Sequence, residues 1–215
     1  SGGVWKSENG GITWTPIFDD QPNINIGSIA IQQSNPSVVW VGTGEGNSRN
    51  SVSIGAGIYK SMDGGKTWKS MGLAKTRNIH RICIDPSNPN IVYAGAIGNP
   101  YGEHPERGVF KTVDGGQTWE IAGLANEYIH SLARVGDCLL AGTSSNGIYV
   151  SRDGGETWSC SNSGLPVDKP QLDVSCILVD PSAPARVYIG IDKCGVYSSS
   201  DGAQTWEFLG QGLPA

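Results

Sequence analysis

An eight-residue phrase is written five times in this chain: SENGGITW at 7–14, SMDGGKTW at 61–68, TVDGGQTW at 112–119, SRDGGETW at 151–158 and SSDGAQTW at 199–206. The copies start 54, 51, 39 and 48 residues apart. A repeat of that length is one supersecondary unit stacked on its neighbours, and a period of about 40–50 residues fits a four-stranded propeller blade. Helical repeats of similar length need amphipathic patterns of 3.6-residue period, and none is present. The segments between copies are instead short β-branched and aromatic runs bounded by Gly, Asn, Asp and Pro, the signature of strands. Thirty-one glycines and twelve prolines among 215 residues agree with many tight turns.

Aligning the copies predicts four strands per unit. First strands fall at 26–31, 79–84, 129–134 and 174–179; second strands at 38–43, 91–96, 138–143 and 187–192; third strands at 57–61, 108–112, 147–151 and 195–199. The fourth opens at the Trp of each phrase. QQSNPS, DPSNPN and DPSAPA link first to second strands, with Asx or Ser beside Pro as turn chemistry. The phrase itself closes the third strand onto the fourth. Its Gly residues supply positive φ, its Asp accepts hydrogen bonds from turn N–H groups, and its Trp packs against the sheet. Asn9 in the first copy can accept the same bonds, and Ala203 replaces a Gly in the last. Every residue of the phrase has a local structural task.

The pattern S-x-D-x-G-x-T-W resembles the Asp box, or bacterial neuraminidase repeat. The resemblance rests on Asn9, Asp63, Asp114, Asp153 and Asp201 with Trp14, Trp68, Trp119, Trp158 and Trp206. It implies an all-β propeller and places the box at a structural turn remote from the ligand face. The families it brings in are sialidases, xyloglucan hydrolases, sortilin-type receptors and photosystem II assembly propellers. Residues 2–119, with GTGEGNSRNS as their most specific stretch, resemble the amino-terminal propeller of large secreted bacterial sortilin-like repeat proteins. That resemblance implies an extracellular or periplasmic setting. Beyond Trp119 the link from second to third strand shortens from 44–56 and 97–107 to SSNG and KCG, and the chain is similar to a generic repeat run.

The expected architecture is one propeller domain or segment over 1–215. It has a two-stranded half-blade at 1–20 and four full blades at about 24–73, 77–124, 127–165 and 171–213, in a five-bladed ring or as part of a larger one. The half-blade, carrying Trp5, Trp14, Ile17 and Phe18, is expected to bury both faces between unit four and unit one. Its missing inner strands are expected to come from the rest of a longer chain or from a partner protein pairing with an open edge.

The formal net charge of −5, with no basic run, argues against a nucleic-acid partner. No apolar run reaches the roughly 18 residues of a membrane span. Cys83, Cys138, Cys160, Cys176 and Cys194 form no CxxC pair. Cys83 and Cys176 read as small buried side chains, and Cys160 with Cys194 is the one pair open to a bridge.

On the loop face the sequence collects Glu45, Asn47, Arg49 and Asn50 from the first long loop and Tyr101, Glu103, His104, Glu106 and Arg107 from the second. Arg77, His80, His130 and Lys169 lie near first-strand starts. A sialidase needs three arginines gripping a carboxylate in bidentate fashion. Only Arg81 sits at its register position, opposite Ser28, Ser131 and Cys176. A glycosidase needs two acids about 5–10 Å apart, for which Glu45 and Glu103 are the candidates. The ligand-binding candidates are Asn47, Arg49, His80, Arg81, His104, Arg107 and His130. His80 and His130 occupy equivalent positions, either lining the channel or packing between blades. No residue set points to a metal, and no Gly-rich phosphate loop points to a cofactor. The expected function is a non-catalytic extracellular binding or scaffold propeller for protein or glycan; the rival is a carbohydrate-active glycoside hydrolase of the same repeat type.

Overall fold

The computed structural model describes residues 2–46, 51–102 and 104–209. Among these, all regular structure is antiparallel sheet apart from a 3₁₀ turn at Ala74–Thr76. A two-stranded half-blade pairs β1 (Trp5–Lys6) with β2 (Thr15–Pro16). Blade 1 runs β3 (Ile26–Ile31), β4 (Val39–Thr43), β5 (Ile58–Ser61), β6 (Lys69–Ser70). Blade 2 runs β7 (Ile79–Ile84), β8 (Val92–Ala96), β9 (Gly108–Thr112), β10 (Glu120–Ile121). Blade 3 runs β11 (Ile129–Val135), β12 (Cys138–Thr143), β13 (Ile148–Ser151), β14 (Ser159–Cys160). Blade 4 runs β15 (Val174–Val179), β16 (Val187–Ile191), β17 (Gly195–Ser199), β18 (Glu207–Phe208). Each full blade is a meander in sequence order, and the inner strands β3, β7, β11 and β15 neighbour one another in turn. The second strand is the buried centre of blades 1 and 2: every residue of β4 and β8 is buried.

The fourth strands differ from expectation. Each is only two residues long and starts one residue after the Trp, not at it. The indole is turned out of its own strand toward the preceding unit. Trp68 Nε1 donates to Ile17 O at 2.6 Å, Trp119 to Met71 O at 2.7 Å, Trp158 to Ala122 O at 2.6 Å and Trp206 to Ser161 O at 2.8 Å. Each acceptor stands three residues after the preceding unit's Trp. The apolar clusters follow the same joints. One unites Phe18 with Tyr59, a second Trp40 and Ile58 with Ile79 and Val92, a third Tyr93 with Ile129 and Leu139, and a fourth Leu140 and Ile148 with Val174 and Ile189.

The boxes are closed by one hydrogen-bond set. In blade 1 the Ser61 hydroxyl donates to Asp63 Oδ1 (2.8 Å) and accepts from Gly65 N–H (2.8 Å). Thr67 N–H donates to Asp63 Oδ1 (2.9 Å), and its hydroxyl donates to Oδ2 (2.6 Å). The Thr hydroxyl is the leading cause that holds Asp63, Asp114, Asp153 and Asp201 well below the usual carboxylate range. In the half-blade, Asn9 keeps the acceptor role through Oδ1 to Thr13 N–H (2.9 Å) but reverses the side-chain bond, its Nδ2 donating to the Thr13 hydroxyl (2.9 Å).

The half-blade docks on one side only. Phe18 is buried and stands edge-on to Trp68 (4.9 Å) and Tyr59 (5.4 Å) of blade 1. Trp5 and Trp14 remain 51% and 57% exposed, so the expected burial between unit four and unit one is not realised on the side away from blade 1. All five cysteines are free, which removes the Cys160–Cys194 bridge. Cys176 is exposed, not buried as expected: it pairs with Gly190 at the position where Ser131 of blade 3 is buried and donates to Val174 O of blade 4; Cys83 is part-buried, and burial pushes its thiol up to about 11.

Two predictions follow from the box. Asp114→Asn is expected to keep the fold at neutral pH with the Asn9 bonding pattern, while Asp114→Ala lowers the melting temperature. A depressed folded-state pKa gives stability that is present above about pH 4 and lost as pH falls below it. Melting scans at pH 7 and 3 are therefore expected to show a smaller acid loss for Asp114→Asn than for the parent chain. Gly116, at φ 96°, has Trp40 Cη2 2.6 Å from where a Cβ would stand, whereas the nearest atom at Gly155 is 3.1 Å away. Gly116→Ala is expected to cost about 1–3 kcal/mol by overpacking, and more than Gly155→Ala, by urea denaturation.

Candidate site at the inner-strand ends

Each inner strand carries one bulge near its start. Ile26, Ile79, Ile129 and Val174 pair with Thr43, Ala96, Thr143 and Ile191; the next paired residues are Ser28, Arg81, Ser131 and Cys176. The residues left over are Gly27, His80, His130 and Ser175. A bulge re-aims the side chain it carries, so the repeat places one residue per blade at the same level; in blade 1 it is Gly27, where a Cβ would lie 2.3 Å from Ile79 O.

In blades 2 and 3 those residues are imidazoles whose ring centroids lie 5.7 Å apart, tilted by 50°. Asp173, just before β15, brings its Oδ1 to 3.4 Å from His130 Nδ1, a charge-pairing distance without hydrogen-bond alignment. His80 Nδ1, His130 Nε2 and Asp173 Oδ1 are buried without a hydrogen-bond partner. Gly46 of the first long loop lies against the His80 ring, where any side chain would overlap it. Burial, with Arg81 and His130 adding to it, pulls His80 down to about 3. The Arg81 guanidinium donates to the His80 carbonyl (2.8 Å) and stands within electrostatic reach of Cys176 in blade 4.

The other candidates are placed differently. Arg107 is buried and holds the second long loop. Its guanidinium donates to the carbonyls of Ile97, Asn99, Gly102 and Asn126 and lies 3.6 Å from the Tyr128 ring centroid. Those bonds spend it on the protein itself. His104 is half-buried in the same loop, its Nδ1 without a partner. Glu45 sits at the neck of the first loop, accepting from Ser53 N–H at 3.2 Å, while its carbonyl accepts from Asn78 Nδ2 at 3.0 Å. Asn47, Arg49, Asn50 and Glu103 lie outside the described residues. Among the described residues no group of three His, Cys, Asp or Glu side chains could hold a metal, and no helix is long and apolar enough to cross a membrane.

The structure thus joins His80, His130 and Arg81, adds Asp173, and leaves Arg107 apart. Asp173 was legible in the repeat alignment: it stands where Asn25, Asn78 and Tyr128 precede the other first strands.

Residues 149–159 match the family model described as BNR/Asp-box repeat. The matched stretch holds the copy of the phrase at 151–158, and the other four copies repeat its pattern along the chain. No curated protein sequence matches it. The GH74 enzyme of Niastella koreensis is similar in structure, with a TM-score of 0.74 and 21% identity over 96% of this chain and 34% of that one. An ancestral GH74 enzyme gives 0.71 and 18% identity over 99% of this chain and 26% of that one. YCF48 bound to D1 peptide gives 0.61 and 16% identity over 96% of this chain and 62% of that one. This chain spans about a quarter to a third of the two GH74 enzymes. At these identities the likeness establishes the fold: an all-β Asp-box propeller arrangement of four full blades and a half-blade.

His80 gives the site a pH signature. Its folded-state value lies below the ordinary histidine range near 6.5, so the unfolded chain takes up a proton that the folded chain refuses. The stability from neutral His80 is complete above about pH 6.5 and is lost as pH falls toward 3. His80→Asn is expected to flatten the change in urea midpoint between pH 7 and pH 5; an unchanged slope would show that His80 is solvated.

Proposed function

We propose that this chain is a non-catalytic binding propeller module that works outside the cytoplasm and takes a protein or a polar glycan at the ends of its inner strands. The carrying observation is the set of buried, unpartnered polar atoms on His80, His130 and Asp173. Buried polar atoms without partners are costly, and a ligand offering hydroxyl, amide or carboxylate groups would satisfy them. Arg81 beside them favours a ligand with negative character. YCF48, similar in fold, is seen with a peptide. An extracellular or periplasmic setting accords with the resemblance of residues 2–119 to secreted propellers.

The second reading is a carbohydrate-active enzyme, favoured by the fold likeness to GH74 enzymes. Glu45 would then be one of its two acids. The two readings separate in one pair of assays. A panel of reporter glycosides, including sialosides and xyloglucan fragments, is expected to show no turnover. A glycan and peptide array is expected to show binding that weakens at least tenfold in Asp173→Asn and His130→Ala. Turnover abolished by Glu45→Gln would reverse the ranking, and binding indifferent to both site substitutions would move the ligand elsewhere.

A further inference from the structure

The joint between blades 2 and 3 departs from the repeat at two points, and each departure frees a hydrogen-bond donor. In blades 1, 2 and 4 the link from first to second strand folds over the box of its own blade. One carbonyl of that link accepts the N–H of the first box Gly: Ser37 O from Gly64 (2.8 Å), Asn90 O from Gly115 (2.9 Å) and Ala185 O from Gly202 (3.1 Å). In blade 3 the link is only Gly136 and Asp137, a two-residue hairpin closed by the Val135–Cys138 pair. It supplies no such carbonyl, and among the described residues the Gly154 N–H has no hydrogen-bond partner.

The second departure comes from the other side of the joint. Lys6, Lys60 and Lys111 each end beside the first box Gly of the following unit. Their Nζ atoms lie 3.5, 3.4 and 3.5 Å from where a Cβ would stand on Gly64, Gly115 and Gly154. Lys6 is paired with Glu8 at 3.0 Å, and Lys60 donates to the Gly115 carbonyl at 3.2 Å. Lys111 makes neither kind of bond: among the described residues its ammonium has no hydrogen bond and no carboxylate partner. The reason is its cross-strand neighbour, Tyr93, which stands where Trp40 faces Lys60. The Tyr93 hydroxyl takes the box carbonyl, donating to Gly154 O at 3.0 Å, and so releases the lysine from that task.

The two freed donors stand together. Gly154, Lys111 and Tyr93 line a hollow of about 260 Å³ between the blades, with Asp137 and Arg152. Its acids are largely spent. Asp85 is paired with Arg134, and Asp153 turns its oxygens to Ser151 and Thr157 inside the box. Asp137 points into solvent, 3.6 Å from Arg134. Arg152 gives one N–H to Cys138 Sγ at 3.1 Å and, like Lys111, has no carboxylate partner among the described residues.

We propose that this hollow binds a small oxyanion in the place of the missing link carbonyl. One oxygen accepts from the Gly154 N–H, another accepts from the Lys111 ammonium, and Arg152 adds positive charge at the rim. A backbone N–H beside a cation is a donor pair suited to an oxyanion, through charge-assisted bonds. The repeat itself supports the chemistry, since three of the four blades put an acceptor oxygen on the same N–H. The site lies at a box joint, apart from the inner-strand ends, and stands independently of any ligand bound there.

Amide NMR of the whole chain, titrated with inorganic phosphate, sulfate or acetate at constant ionic strength, tests this. The Gly154 amide is expected to shift saturably in the millimolar range. The Gly64, Gly115 and Gly202 amides, already bonded to link carbonyls, are expected to show only the general drift with added salt. Saturation by acetate marks a carboxylate site, and saturation by phosphate or sulfate alone marks a tetrahedral one. Lys111→Gln is expected to weaken binding at least fivefold while circular dichroism and melting stay close to the parent. Lys60→Gln, which removes an ammonium already engaged with Gly115, is expected to leave binding unchanged. A Gly154 amide that saturates with none of the three anions overturns the proposal. So does a shift that survives Lys111→Gln, or one that Lys60→Gln weakens equally.

Discussion

The structure depends on a hydrogen bond that no unit makes with itself. A box indole gives its N–H to the carbonyl three residues past the preceding box Trp, and this happens at four successive joints. The bond fixes where one sheet stands on the next, because indole and acceptor both belong to rigid places: a turn locked by its own side chains and the end of a strand. Around each such bond the apolar clusters are shared, with Trp40 edge-on to Trp119 at 6.3 Å and Phe18 edge-on to Trp68. Aromatic pairs of this kind add about 0.5–1.5 kcal/mol beyond their buried area. A blade in this chain completes its core only with its neighbours, so stability is a sum over joints and unfolding is expected to spread from a missing one.

The box is conserved in form within the chain because its tasks are geometrical. Two glycines in succession hold φ near 72° and 89° in blade 1, and the second lies so close to the preceding unit that a larger residue needs a smaller neighbour. Ala203 marks the limit. It holds φ 64° and is fully buried, and the residue it meets from the preceding unit is Ser161, whose hydroxyl donates to the Ala203 carbonyl. The Asp can become Asn without loss of the acceptor toward the Thr N–H, as Asn9 does, since only the direction of one side-chain bond changes. These exchanges are the ones that a turn under structural constraint permits, and they carry no chemistry of a reacting site.

This is why the fold was legible and the site was not. Strand order, strand positions to within a residue or two, and the box bonds follow from local patterns written several times. The errors lie where a residue answers to a neighbouring unit. The pattern starts each fourth strand at a Trp, but four of these indoles serve the preceding unit. Trp14 was expected to be covered, but the side away from blade 1 lies open. Arg107 resembled a ligand-binding arginine in a loop rich in polar residues, but its fork is taken by four carbonyls and the Tyr128 face, which only the folded loop brings together. Cys176 read as core by its apolar neighbours; it keeps ladder register with Gly190 yet is exposed, whereas its blade 3 counterpart Ser131 is covered by Val174 of the next blade. The alignment marks the position of Asp173, but its pairing with His130, 43 residues away in another blade, exists only in the folded chain.

The bulges join the repeat to the site. An unbroken first strand would place the second residue of each inner strand in ladder register, facing a neighbouring strand. The inserted residue frees it, and the same insertion occurs in all four blades although the residues differ: Gly27, His80, His130 and Ser175. The backbone feature is therefore a property of the blade, while the residue it displays differs from blade to blade and is held to glycine in blade 1 by the Ile79 and Gly44 carbonyls. Two of the four positions carry imidazoles, and a carboxylate stands beside one of them, which leaves three buried polar atoms without a hydrogen-bond partner, while Arg81 donates to the His80 carbonyl. Among the described residues, three of the four buried polar side-chain atoms without a hydrogen-bond partner lie at the inner-strand ends, and the fourth is His104 Nδ1 in the second long loop. That clustering is the support for placing the proposed binding site at the inner-strand ends, away from the boxes.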